Sequence, residues 1–124
     1  MSDIKALGLW RLVLAAVTLV ILYLSLMPAP PSEGLGWDKL NHVAAMAAVT
    51  VIAFRVLRPV SLRAVLLAGL YALLLGALIE LLQGTLTTTR SAEWSDLLAD
   101  AVGVALVMPG LYLWKRKIIL NAEF

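Results

Sequence analysis

The chain has 124 residues, of which 62% are hydrophobic and 15% are charged, and its mean hydropathy is +0.95. Soluble domains are about 45–50% apolar and about 25% charged, so this composition excludes a water-soluble monomer. The lack of cysteine excludes disulfides and thiolate metal sites, and a single histidine excludes the usual His/Cys zinc set. The ten cations are scattered between apolar runs, so no nucleic-acid-binding face is predicted.

Four apolar runs predict four membrane-spanning helices in one domain covering residues 1–124. A helix needs about 20 mostly apolar residues to cross a bilayer, and the predicted spans are residues 10–27, 40–57, 64–83 and 95–114. The first run has no small-x-small cleavage site, so a retained span is expected rather than a secretory signal. Short connections make sequential helices antiparallel neighbours. The predicted fold is therefore an all-α membrane protein, an antiparallel four-helix transmembrane bundle.

The basic residues predict the orientation of this bundle. Only Lys39 and Arg90 lie in the two loops of one side, and the other eight cations lie at the termini and in the middle turn. Lysine and arginine in short loops are retained in the cytoplasm, so both termini are expected on the cytoplasmic side of the plasma or inner membrane. The eight cations are Lys5, Arg11, Arg55, Arg58, Arg63, Lys115, Arg116 and Lys117.

Polar residues gather at the opposite, outer ends of the spans. Asp38 and His42 are four residues apart and share a helix face, with Lys39 beside them. Here a simpler interpretation stays open, in which Asp38 caps the helix and His42 is an interfacial polar residue. The third span ends with Glu80 and, three residues later, Gln83.

Two carboxylates lie deeper than the ends of the spans. Glu80 falls in the last turn of the third span, and Asp100 lies a turn below Asp96 in the fourth. An ionised carboxylate facing lipid costs a few kcal/mol, so both are expected to face protein and to be protonated or paired. Arg90 is the expected partner of Asp100, with Lys39 and His42 as the next candidates. The predicted outward-facing binding pocket comprises Asp38, Lys39, His42, Glu80, Gln83, Arg90, Asp96 and Asp100.

The order of these motifs resembles the VanZ-like family of small integral membrane proteins. The matching pattern is Asp38-Lys39-x-x-His42, then Glu80-x-x-Gln83, then Arg90 followed by Asp96 and Gly103, within residues 37 to about 109. The resemblance implies a multi-pass membrane protein of the cell envelope. The family's namesake is associated with resistance to the glycopeptide teicoplanin, and most members are uncharacterised.

The chain departs from the family pattern at two places. Asp100 stands where the family commonly has asparagine, and residues 86–89 stand where the family has a proline-glycine pair before the arginine. An acid in place of an amide adds a negative charge to the predicted pocket. A ligand bound by the family is therefore expected to bind differently here.

Two functions fit the predicted pocket. In the first, it binds a lipid headgroup or a lipid-linked envelope precursor, with Arg90 suited to phosphate. In the second, an intramembrane enzyme acts on a lipid or glycolipid headgroup, with His42, Glu80 and Asp96 as candidate acid-base residues. No cofactor and no dedicated metal site are predicted, although Asp96, Asp100 and Glu80 could hold a divalent ion as a minor alternative. Polar residues do not continue across the spans, so a transport path would require an oligomer.

Overall fold

The computed structural model describes residues 3–28, 35–88 and 91–122, including all side chains there except those of residues 35–38 and 122. Four helices make up this structure: α1 (Asp3–Leu26), α2 (Leu35–Val56), α3 (Leu62–Leu86) and α4 (Trp94–Ala122). Each is long and apolar enough to cross a membrane. The predicted all-α class with four helices is confirmed, and the four apolar helices indicate a multi-pass membrane protein.

The helices extend beyond the predicted spans. α1 begins at Asp3 instead of residue 10, and α4 continues to Ala122 instead of residue 114. An apolar run marks the part of a helix suited to hydrocarbon, whereas the helix itself continues as long as its backbone bonds are made. The start of α3 is set by Ser61, whose Oγ accepts a hydrogen bond from the backbone N–H of Ala64 at 3.2 Å.

Glycines bring α4 close to both α2 and α3. A Cβ at Gly103 would lie within 3.0 Å of the backbone carbonyl of Val43 in α2, and a Cβ at Gly76 would lie within 3.0 Å of the Asp100 carboxylate in α4. Glycine allows helix backbones to approach at such positions. Of all helix pairs in the described structure, α2 and α4 pack most extensively.

Contacts along the helices give their relative directions. In the α2–α4 pair, Val43 meets Gly103 near the starts of the helices, and Phe54 meets Trp114 toward the ends, with ring centroids 5.7 Å apart. These two helices therefore run in the same direction. α3 runs opposite to α4, because Gly76 lies against Asp100 and later residues of α3 lie against earlier residues of α4.

On α3, the buried face is rich in alanine and glycine, and the exposed face is rich in leucine. Large apolar residues are buried elsewhere in the bundle, among them Met46 and Phe54. In a bilayer, lipid tails cover the exposed leucines, and close packing of small residues holds the helices together. The small buried residues of α3 are Ala64, Ala68, Gly69, Ala72 and Gly76, and its exposed leucines include Leu66, Leu70, Leu74, Leu78 and Leu81.

Helix α1 is peripheral. None of its residues is buried, and it packs against α2 and α3. Two hydrogen bonds join it to α3: Thr18 shares one of 2.8 Å with the Tyr71 hydroxyl, and the Ser25 carbonyl accepts one of 2.9 Å from Gln83 Nε2. The three helices α2, α3 and α4 therefore form the core of the structure.

The end of the bundle where α2 finishes carries basic and aromatic side chains. The Arg55 guanidinium lies 4.7 Å from the ring centroid of Trp10 and 4.9 Å from that of Trp114. Lys115 Nζ lies 4.6 Å from the centroid of Tyr112. Stacked cations and aromatic rings of this kind suit a membrane interface. The described acidic groups of the opposite end form the site described next.

Candidate functional site

Among the described residues, six charged or titratable side chains meet where α2 and α4 begin and α3 ends. We call this set the polar cluster. α2, α3 and α4 each contribute, together with one residue that immediately precedes α4. The members are Lys39, His42, Glu80, Glu93, Asp96 and Asp100.

Lys39 joins α2 to the start of α4. Its Nζ donates a hydrogen bond of 2.8 Å to Glu93 Oε2 and a second hydrogen bond to Asp96 Oδ1. The hydrogen bond and the positive charge of Lys39 hold the pKa of the Glu93 carboxyl below its usual value. One ammonium group therefore pairs with two carboxylates at this end of the bundle.

His42 lies between two carboxylates of α4. Its Nδ1 lies 2.8 Å from Asp100 Oδ1, at hydrogen-bond distance, and its Nε2 lies 3.7 Å from Asp96 Oδ2. The hydrogen bond with Asp100 orients the ring. The other oxygen of Asp100, Oδ2, is buried without a hydrogen-bond partner among the described residues. That oxygen fits against α3 only because Gly76 has no side chain.

Glu80 reaches the cluster from the last turns of α3. Its Oε2 accepts a hydrogen bond of 2.8 Å from the backbone N–H of Glu93. Its Oε1 is buried and has no hydrogen-bond partner in the described part of the chain. Glu80 and Asp100 are buried, so the expectation that both carboxylates face protein is confirmed.

Exposure falls steadily from the end of the bundle toward its interior. The cluster is therefore open to its surroundings at the rim, near Glu93 and Lys39, and closed at Asp100. A polar site with one open end can admit a ligand from the bundle end and exclude water from its base. The side-chain exposures are 41% for Glu93, 26% for Lys39, 12% for His42, 5% for Asp96 and 1% for Asp100.

Three of these side chains could hold one metal ion. One donor atom each from His42, Glu80 and Asp96 lies within 4.8 Å of the other two. In this set, His42 takes the place of Asp100 in the predicted alternative of Asp96, Asp100 and Glu80, and Asp100 is hydrogen-bonded to the imidazole. An imidazole and two carboxylates are a donor set that proteins use for divalent transition metals.

Most of the predicted pocket residues lie together. Lys39, His42, Glu80, Asp96 and Asp100 form the polar cluster, and the Asp38 side chain and Arg90 fall outside the described residues.

Gln83 makes a contact away from the polar cluster, and Glu93 is a further member of the cluster. Gln83 is buried, and its Nε2 donates to the Ser25 carbonyl, so it links α3 to α1. Glu93 is a cluster residue that the sequence pattern does not single out. Its position three residues before Asp96 is the one available signal, because such a spacing places two acids near the same helix start.

No protein-family description, curated protein or solved structure matches this chain.

Proposed function

We propose that this chain is a VanZ-like multi-pass protein of the plasma or inner membrane whose polar cluster binds a lipid headgroup or a lipid-linked envelope precursor. The observation that carries the proposal is the charged cluster between three apolar helices, buried at its base and open at its rim. Ionisable groups within membrane spans are costly and generally mark binding sites or ion paths. A site used only for packing would not require so many charges.

The depth of the cluster supports a headgroup as the ligand. Trp94 at the start of α4 is exposed, and tryptophan prefers the membrane-water interface. Asp100 is six residues further along the helix, which corresponds to about 9 Å at a rise of about 1.5 Å per residue. The cluster thus spans the zone between the interface and the upper acyl region. Lys39 at the rim offers a donor to phosphate or carboxylate oxygens of a headgroup.

The proposed arrangement is an antiparallel transmembrane bundle with both termini in the cytoplasm and the polar cluster facing outward. Because the chain has no cysteine, single cysteines report on topology without background. Thr88 and Arg58 are both exposed and lie at opposite ends of α3. In intact cells, the Thr88→Cys variant is expected to react with an impermeant thiol reagent, and the Arg58→Cys variant to react only after the membrane is permeabilised. The reverse labelling pattern would show the opposite orientation.

Headgroup binding is tested by the lipids that remain with the purified protein. We expect one headgroup class to be enriched at least about tenfold over the host membrane, which corresponds to about 1.4 kcal/mol of preference. The Glu80→Gln and His42→Ala variants are expected to lose this enrichment because each removes a titratable group from the cluster. Mass spectrometry of the extracted lipids, including lipid-linked envelope precursors, gives the measurement.

The matched control is Asp3→Asn, which makes the same change from carboxylate to amide in α1, away from the cluster. It is expected to retain the lipids of the parent protein. Equal enrichment in the parent, Glu80→Gln and His42→Ala proteins, at equal membrane levels, would rule out the cluster as the headgroup site.

The second candidate is an intramembrane enzyme that acts on the same class of headgroup. Its specific support is the hydrogen bond of 2.8 Å between His42 and Asp100, with Glu80 in the same cluster. A carboxylate that orients an imidazole is a common arrangement in acid-base catalysis. An enzyme converts many equivalents of added lipid when reconstituted, whereas a binding protein retains about one.

A link to glycopeptide resistance follows from the family resemblance alone. The drug susceptibility of cells carrying the same variants tests this link.

A further inference from the structure

We propose that His42, Glu80 and Asp96 bind one divalent transition-metal ion. The three residues come from α2, α3 and α4, and their donor atoms lie within 4.8 Å of one another. Residues from three different helices are brought to one point by the packing of the bundle.

The charge of the polar cluster favours a cation. Four carboxylates face one ammonium group, and His42 is the remaining titratable member. Asp38 and Arg90 have opposite formal charges, so including both leaves this acidic excess unchanged. At a buried site the repulsion between carboxylates is only weakly screened, and a divalent ion between Glu80 and Asp96 would relieve it.

An unsatisfied oxygen provides independent support. Glu80 is only 4% exposed, and its Oε1 has no hydrogen-bond partner in the described structure, although Oε2 has one. A buried polar atom without a partner is uncommon and calls for an explanation such as an ion. Coordination of a metal by Glu80 would satisfy this oxygen and leave the backbone hydrogen bond to Oε2 in place.

The orientation of His42 fits a metal ligand. Histidines that ligate metals commonly hydrogen-bond a carboxylate through the other ring nitrogen, and Asp100 is placed at His42 Nδ1 in this way. His42 Nε2 and Asp96 Oδ2 are 3.7 Å apart. Two donors on a tetrahedral ion with bonds of about 2.1 Å are separated by roughly 3.4 Å. Small side-chain movements would therefore bring both donors onto one ion.

The donor types indicate the class of metal. Calcium and magnesium prefer sites made of oxygen atoms alone. An imidazole nitrogen with two carboxylates suits zinc or manganese. A bound ion would also present positive charge to a phosphate oxygen at the rim of the cluster. That last consequence rests on the proposed function, whereas metal binding itself does not.

The single histidine makes a direct test possible. Protein carrying ¹⁵N-labelled histidine and no histidine tag is purified in detergent, stripped with a chelator and titrated with Zn²⁺ in the absence of added lipid. We expect one Zn²⁺ per chain and a large change in the ring-nitrogen NMR signals of His42. Glu80→Gln and Asp96→Asn are each expected to weaken binding about 100-fold or more, since outer-shell changes alone cost about 10–100-fold.

The variants are chosen to preserve the fold. The amide oxygen of glutamine at position 80 can still accept the Glu93 N–H, and asparagine at position 96 can still accept from Lys39. Asp3→Asn serves as the control and is expected to bind Zn²⁺ within about twofold of the parent, because Asp3 is exposed at the start of α1 and is not among the proposed ligands. Unchanged His42 signals at saturating Zn²⁺, or Zn²⁺ binding by the Glu80→Gln and Asp96→Asn proteins as tight as that of the parent, would overturn the metal site. Neither result would affect the lipid-enrichment test, which is measured separately.

Discussion

The Lys39→Met variant is expected to lose about 3 kcal/mol of stability, because removal of one partner from a largely buried ion pair costs about 3–5 kcal/mol. The low end of this range of destabilisation applies because Lys39 is itself partly exposed. Without the ammonium group, Asp96 remains buried at 5% exposure beside Glu80 and Asp100 and lacks its cation. The negative charges of α4 and Glu80 of α3 would then repel one another, and the link from α2 to the start of α4 through Lys39 would be lost.

Reversible unfolding in detergent micelles measures this effect. Lys117→Met removes an exposed lysine from the last turns of α4 and is the matched control, with an expected change below about 0.5 kcal/mol. The double variant Lys39→Met with Asp96→Asn is expected to recover much of the loss, because it no longer buries an unpaired charge. A Lys39→Met protein as stable as its parent would show that the ion pair contributes nothing to the fold.

The Gly103→Ala variant is expected to cost about 3 kcal/mol, near the upper end for inserting a methyl group into a close-packed interior. The added Cβ would lie within 3.0 Å of the Val43 backbone carbonyl, and a backbone atom cannot move aside as a flexible side chain can. The two helices would separate next to the hydrogen bond between His42 and Asp100. Metal binding is therefore expected to weaken along with stability.

Gly110→Ala in the same helix is the natural control, since nothing lies within 4 Å of a Cβ at that position. It is expected to be neutral or to stabilise the protein by up to about 1 kcal/mol through helix propensity. Thermal unfolding of both variants in the same detergent provides the comparison. If Gly103→Ala and Gly110→Ala behave alike, close approach of α2 and α4 at Gly103 is not required for the fold.

The helices and the burial of the deep carboxylates could be predicted from the sequence. Both follow from the high cost of exposing backbone or charge to hydrocarbon, which applies to each segment separately. Glu80 and Asp100 could therefore be assigned to the protein interior before their partners were known.

The pairing of charges could not be predicted in the same way. His42 pairs with Asp100, and Lys39 pairs with Asp96 and Glu93. These pairs form because α2 and α4 approach closely at Gly103 and because each helix turns one particular face toward the other. Which faces meet depends on packing along the whole helix pair. Gln83 illustrates the same limit, since its role depends on the position of the last turn of α1.

On α3, the arrangement of small residues inside and leucines outside reverses the usual tolerance of a protein to substitution. In a water-soluble domain, large core residues are the hardest to replace. Here Leu66, Leu70 and Leu74 face outward, where another side chain of similar hydrophobicity would contact the lipid tails of a bilayer equally well. Gly76 and Gly103 have no such freedom, because an added Cβ would lie within 3.0 Å of Asp100 or Val43, so substitutions at these two small residues are expected to cost more than substitutions at the outward-facing leucines.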